Sequence, residues 1–317
     1  MNVAQVIDRL KADPEFKRNL TQWHTIPAQG ARYAGFPEAL HPRLVAGLQA
    51  HGINDLCTHQ RAAIEAVLAG EHACVVTPTA SGKTLCYNVP VLNHLLEHPK
   101  ARALYLFPTK ALSQDQVHEL QTLVEGLEVK IGAYTFDGDT PPSARKSVRS
   151  AGHIVVTNPD MLHTGILPHH TIWIRLFENL AYVVIDEIHH YRGVFGSHLA
   201  NVLRRLSRIC KFYGSNPQFV CCSATIANPK EMAERIIERP VRLVDNNGAP
   251  AGEKHFLFYN PPVVNAELGI RKSSVTVPSS IGTLKSVRTS TRLPSTEPSR
   301  ASRSSSVGDV APVVGVS

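Results

Sequence analysis

The chain has 317 residues, 43% of them hydrophobic and 19% charged, with a formal net charge of +7. That is enough for one large or two medium domains with a sizeable core. The sequence excludes a membrane span, since no run of about 18 apolar residues occurs. No secretory leader is expected, since MNVAQVIDRLKADPEF carries acidic residues and no apolar stretch. Five basic residues of the last 45 (Lys285, Arg288, Arg292, Arg300, Arg303) face two acidic ones (Glu297, Asp309), so +3 of the charge sits there and +4 on the rest. A surplus of +4 over some 270 residues is weak support for a polyanion partner, and motifs must carry that reading.

In chain order, residues 1–50 read as a helical N-terminal extension, with hydrophobes at Val3, Val6, Ile7 and Leu10 at helical spacing and breaks at Pro27, Gly30, Gly35 and Pro37. Five short apolar runs follow, at 73–77, 103–107, 153–157, 181–186 and 218–223. They are Val-rich and nearly continuous, as strands buried on both faces are. Helical stretches at 84–96, 112–123, 197–212 and 229–237 lie between or after them. Strand and helix in alternation predict an α/β fold with a parallel sheet over 51–248. Residues 249–272 read as a connector toward a second domain. Residues 273–317 lack aromatics and histidines, and their Ser/Thr/Arg/Pro composition predicts a disordered tail, from a frameshift or a premature end, or natural to the protein. Six cysteines without a CxxC pair give neither a zinc site nor a disulfide framework; the expectation is buried, reduced thiols in a cytoplasmic protein.

TPTASGKT at 77–84 follows an apolar strand and opens a helix, the context of a phosphate loop. Backbone N–H groups over Thr79, Ala80, Ser81 and Gly82 would face an anion at the helix N-terminus. Gly82 permits close approach, Lys83 supplies a point charge for β- and γ-phosphates, and Thr84 offers a hydroxyl to Mg²⁺. The strict motif begins with Gly, and Thr77 stands in that place. Asp186 ends the run AYVVID and Glu187 follows it, where ligands of open parallel sheets bind. Asp186 is expected to hold Mg²⁺ and Glu187 to polarise the attacking water. Ser223 and Thr225, in SAT after the next strand, place two hydroxyls where they can sense the acidic pair. Asp137 and Asp139 flank Gly138 and read as turn residues. His169, His170 and His190 read as surface residues.

These elements, taken in order, resemble the superfamily 2 DExH-box helicases. LCTHQ, TPTASGKT, PTKALSQDQ (108–116), TNPDML (157–162), DEIH (186–189) and SAT match that family's motifs over roughly residues 30–272. FDGDT, IDEIHHYRGVFGSHLANVLRRL and NPPVVNAELGI are similar to the RecQ-like DNA repair helicases of the MrfA (YprA) type. The resemblance implies a P-loop RecA-like domain, ATP with Mg²⁺ as cofactors, and single-stranded or forked DNA as partner, with RNA as the lesser alternative. It implies that Gln60 reads adenine, with Cys57 where an aromatic is common. It gives Lys83, Asp186, Glu187 and His189 catalytic roles, with His189 linking to the SAT motif. Ser223 and Thr225 would couple hydrolysis to movement, and Thr109, Lys110 and Thr157 would contact the nucleic-acid backbone. Full-length relatives carry a second RecA-like domain and a zinc domain, and neither is found in this fragment. The expectation is therefore ATP binding with weak hydrolysis and no processive unwinding by this chain alone. A non-catalytic nucleotide and nucleic-acid binding module, or an inactive remnant, stands as the reading from another class.

Overall fold

The computed structural model describes residues 2–127 and 129–260, and the backbone of short strands at 263–265, 270–271, 285–286 and 313–316. The chain forms two compact units, one of residues 31–249 and one joining residues 1–30 to those from 250 onward.

The first unit is built on seven strands: β1 (Ala73–Val76), β2 (Arg102–Leu106), β3 (Ala133–Thr135), β4 (Ile154–Thr157), β5 (Leu180–Ile185), β6 (Gln218–Ser223) and β7 (Arg242–Val244). They form one sheet in the order β7-β1-β6-β5-β2-β4-β3, with every neighbouring pair parallel. The helices are α1 (Pro42–Ala50), α2 (Thr58–Leu68), α3 (Lys83–Glu97), α4 (Lys110–Glu125), α5 (Pro142–Ala151), α6 (Gly193–Phe212) and α7 (Pro229–Ile237).

The continuous apolar runs are explained by burial on both faces. Val75, Tyr105, Val184 and Val220 pack with Leu44, Ile64, Tyr87 and Leu120 from α1 to α4. Their neighbours Cys74, Leu104, Val183, Phe219 and Cys221 pack with Leu176, Leu203, Leu206 and Ile236. Side chains alternate across a strand, so each strand feeds both cores. At about 1.5–3 kcal/mol per fully buried Val, Leu or Phe, the two cores outweigh any local propensity in the connecting loops. The six cysteines are free and buried, as small hydrophobes would be.

Register brings distant motifs to one edge. Val76 pairs with Ser223, Ile185 with Cys221, and Leu106 with both Ile185 and Thr157. The loops after β1, β2, β4, β5 and β6 therefore emerge side by side. The chain turns one way after β1, toward β2, and the other way after β6, toward β7, which makes the β1/β6 boundary the switch point where ligands of such sheets bind.

Three expectations are corrected. The helical extension over 1–50 is helical at Val3–Ala12 and Pro14–Asn19, but Leu20–Ile26 is a strand paired antiparallel with Lys254–Tyr259. Its partner lies more than 200 residues away, so local spacing could not reveal it. Pro42–Ala50 belongs to the unit of residues 31–249, with Leu44 and Leu48 in its core. The connector over 249–272 is a strand at Lys254–Tyr259; residues 261–262, 266–269 and 272 lie outside the described residues. So does the tail read as disordered, apart from its two short strands.

Candidate nucleotide site

The loop between β1 and α3 is fixed by its own side chains. Thr77 is buried, and its hydroxyl lies 2.6 Å from that of Ser81, so a side-chain bond spans the loop from the place where the strict motif has Gly. Lys83 Nζ donates to the carbonyls of Thr77 (2.9 Å) and Pro78 (3.0 Å), closing the loop on itself. Gly82 has φ +75°, a conformation that favours glycine, and a Cβ there would come within 2.5 Å of Gln60 Nε2 and push that side chain aside. Thr79 and Ala80 are exposed. Among the described residues three non-glycines have positive φ: Ala80 (63°), Glu187 (50°) and Glu238 (55°). Glu238 ends a helix, where this geometry is common. The other two fall in the loop and the acidic pair, where strain gathers at functional sites.

Gln60 sits against this loop. Its Oε1 accepts from Cys57 N (2.8 Å) and its Nε2 donates to Gly82 O (3.0 Å). The amide expected to read adenine is thus engaged at both ends, and would have to exchange these partners to do so.

Asp186 and Glu187 follow β5 directly. Asp186 Oδ1 accepts from Glu187 N (2.7 Å), and its Oδ2 lies 3.2 Å from the Tyr87 hydroxyl. Burial, then the neighbouring Glu187 charge, pushes the Asp186 carboxyl up to about 6, against the lowering effect of the Glu187 N–H, the Tyr87 hydroxyl and Lys83. Tyr87 also reaches Gln116 (2.9 Å) and is within hydrogen-bonding reach of Thr84. Thr84 and Asp186 thus flank one phenol, giving an all-oxygen set of the kind Mg²⁺ takes. Glu187, His189 and His190 form a separate cluster of ligand types whose atoms lie within 4.8 Å of one another.

His189 Nδ1 lies 3.1 Å from Glu187 Oε2 and 3.3 Å from Ala224 N. One nitrogen cannot donate to the carboxylate and accept from the amide at once, so the ring's tautomer selects between them. Burial pulls its pKa below the usual histidine value, with Glu187 opposing. His189 thus lies between the acidic pair and Ala224 of the SAT segment. Ser223 is buried and donates to the Ala224 carbonyl (2.7 Å), while Thr225 is exposed.

The residues expected at nucleic acid divide. Thr109 is exposed and caps α4 through Leu112 N (3.5 Å). Lys110 is exposed and paired with Asp139 at 2.5 Å, a solvent-screened surface contact that a phosphate can displace. Thr157 is corrected: it is 1% exposed and donates to Phe136 O at 2.5 Å, so its hydroxyl is spent inside the sheet edge. Thr157→Val should lower stability by about 1–2 kcal/mol, by stranding the Phe136 carbonyl, and leave DNA affinity within about twofold. Denaturant melts and DNA anisotropy check it; a large affinity loss at unchanged stability would restore the contact role. Asp137 is the turn residue expected, its Oδ1 accepting from Asp139 N and the Thr140 hydroxyl.

Sequence reasoning missed Tyr87, one helical turn beyond Lys83, and His59, which bridges Ser81 O and Gly248 N. The i, i+4 spacing from Lys83 pointed to the first; no local signal marked Gly248.

Residues 57–232 match the DEAD/DEAH box helicase family. The chain belongs to this family. It is 57% identical over 268 residues to the uncharacterized ATP-dependent helicase YprA of Bacillus subtilis, covering 84% of this chain and 36% of that protein. It is 37% identical over 267 residues to the ATP-dependent helicase HRQ1 of Saccharomyces cerevisiae, covering 83% of this chain and 24% of that one. The crystal structure of the DUF1998 helicase MrfA bound to DNA and AMPPNP superposes with a TM-score of 0.81 at 56% identity, over 86% of this chain and 37% of that one. The chain thus spans about a quarter to a third of the helicases it matches, and corresponds to their first RecA-like, ATP-binding domain.

Proposed function

We propose that this chain is the ATP-binding part of a DNA helicase, which couples ATP hydrolysis to movement along single-stranded or forked DNA in repair. The observation that carries the reading is the shared edge: Lys83 and Thr84, the Asp186–Glu187 pair, and the SAT segment meet at the switch point of one parallel sheet. The similarity to a helicase crystallised with DNA and AMPPNP supports DNA over RNA.

Lys83 leaves the Thr77 and Pro78 carbonyls for the β- and γ-phosphates. Thr84 and Asp186 would hold Mg²⁺, which would supply positive charge to neutralise that developing on the phosphates. Glu187 orients and polarises the attacking water, and its His189 contact passes the state of that carboxylate to Ala224. Gln60 meets adenine once freed from Gly82 O. Lys110 and Thr109 supply sequence-independent contacts to the DNA backbone. Buried free thiols and the lack of a membrane-spanning helix among the described residues favour the cytoplasm.

The non-catalytic reading has one observation of its own. The described residues contain a single parallel sheet, and the arginine that such enzymes bring from a second sheet is worth about 10³–10⁵ in rate. These 317 residues on their own should therefore bind Mg–ATP, turn it over slowly, and bind single-stranded DNA more tightly than RNA of equal length. Binding should weaken linearly in log salt. Nucleotide titration and anisotropy over a salt series test this. Failure to bind Mg–ATP, or tighter binding to RNA, would overturn the reading.

A further inference from the structure

We propose that His59 is a positioning residue that ties the conformation of the phosphate loop to residues 245–249, the segment through which the chain leaves this unit. The proposal rests on the reading of the loop as a nucleotide site.

Two consecutive loop carbonyls are held by two consecutive side chains of α2. Gln60 holds Gly82 O, and His59 Nε2 holds Ser81 O at 3.1 Å. Gln60 ends locally, on Cys57 N. His59 does not: its Nδ1 accepts from Gly248 N at 3.2 Å. A backbone amide can only donate and a carbonyl can only accept, so the two partners fix the ring as the neutral form with its proton on Nε2. The ring is 1% exposed, and burial together with Lys83 and Arg32 holds its pKa below the usual histidine value.

The far end of this bridge is rigid. A Cβ on Gly248 would lie 2.2 Å from Thr58 Oγ1 and 3.0 Å from Arg32 O, so the backbone approaches α2 as only glycine can. Arg32 N donates to Gly248 O (2.8 Å), and Thr58 N donates to Arg32 O (2.9 Å). The Arg32 guanidinium reaches Asn246 Oδ1 and Asn247 O, both at 2.6 Å. Residues 31–32 and 248–249 are where the chain enters and leaves the unit. Both crossings thus hang on one network that ends at Ser81.

The near end is adjustable. The Ser81–Gly82 peptide adjoins a glycine at φ +75°, and the loop is held shut by Lys83 on Thr77 O and Pro78 O. When Lys83 turns to phosphate those carbonyls are released and the loop peptides reorient toward the anion. His59 then loses or re-aims its hold on Ser81 O, and Gly248 N–H feels the change.

Two substitutions separate the ends. His59→Gln can still donate to Ser81 O but leaves Gly248 N–H without its acceptor. His59→Asn can accept from Gly248 N–H but cannot reach Ser81. The measurements are Mg–AMPPNP affinity by calorimetry and amide hydrogen exchange at Gly248, with and without Mg–AMPPNP, and with thermal melts on each protein. In the wild-type chain, nucleotide should change Gly248 exchange by about 2- to 10-fold, the scale of one hydrogen bond. His59→Gln should bind nucleotide within about threefold of wild type, exchange Gly248 faster without nucleotide, and show no nucleotide response. His59→Asn should keep Gly248 slow and equally unresponsive, and it carries the test if His59→Gln does not fold. A wild-type chain that binds nucleotide with Gly248 unmoved, or a response that persists in both variants, overturns the proposal alone. No nucleotide binding by wild type overturns the nucleotide reading and the proposal with it.

Discussion

Replacing Lys83 with alanine should cut ATP turnover by on the order of 100- to 1,000-fold while leaving the fold almost unchanged. The two halves of that expectation have different causes. In the structure Lys83 does a modest structural job, bonding the carbonyls of Thr77 and Pro78. One of these contacts is exposed and the other half-buried, so water replaces the lost donor at about 1 kcal/mol or less. Against phosphate no water can replace a fixed positive charge at the helix N-terminus, beside an acidic pair that itself repels the substrate. Lys83→Arg should fare little better, because a planar fork cannot occupy the place of a point charge between two converging carbonyls. Steady-state ATPase assays and thermal melts of the same preparations check both halves. Turnover within about threefold of wild type would remove Lys83 from the chemistry, and a collapse in melting temperature would recast it as structural.

The fold was legible wherever burial was two-sided. The runs at 73–77, 103–107, 153–157, 181–186 and 218–223 match five observed strands, because a strand between two helical layers has no polar face to disguise it. The two strands of the parallel sheet that were missed are short and marginal: Ala133–Thr135 lies at the sheet edge, and Arg242–Val244 is followed at once by the polar Asp245, Asn246 and Asn247. The helix Pro142–Ala151 was missed because a single buried residue, Val148, holds it to the core. At the site, the residues that needed only sequence context (Lys83, Thr84, Asp186, Glu187) fall together, since strand register alone aligns them. Thr157 went wrong for the converse reason. A motif names a residue type at an edge, but whether its hydroxyl faces outward depends on the Phe136 carbonyl of the neighbouring chain segment, which no motif contains. His59 and Gly248 are 189 positions apart, and their bond exists only because β7 lies next to β1.

The acidic pair is where function and stability pull hardest against each other. Asp186 has an unfolded-state pKa near 3.8 and a folded one raised to about 6, mainly by burial. The sign follows from the direction of the shift. Below pH 3.8 the carboxyl is protonated in both states and costs nothing. As pH rises from 3.8 through about 6 the unfolded chain ionises first, so the folded state loses stability across that window, and the deficit then stays constant. Asp186→Asn removes the charge and keeps an oxygen for Glu187 N–H. In EDTA it should therefore be more stable than wild type at pH 7.5 by about 1–3 kcal/mol, roughly 2–10 °C in melting temperature. The gain should shrink toward zero near pH 4. The same change removes an anionic oxygen from the proposed Mg²⁺ set, so ATP turnover should fall by at least about 100-fold, and Mg–ATP should raise the wild-type melting temperature but not the variant's. Equal stability gains at pH 7.5 and pH 4 would show that Asp186 is not the charged, desolvated group inferred from the geometry. A stabilised variant that still hydrolyses ATP would leave the burial argument standing and move the metal elsewhere. The expected pairing, a sturdier fold with a dead site, is what a carboxylate kept for its ligand predicts: the charge is unfavourable in the empty protein and becomes favourable only when a cation meets it.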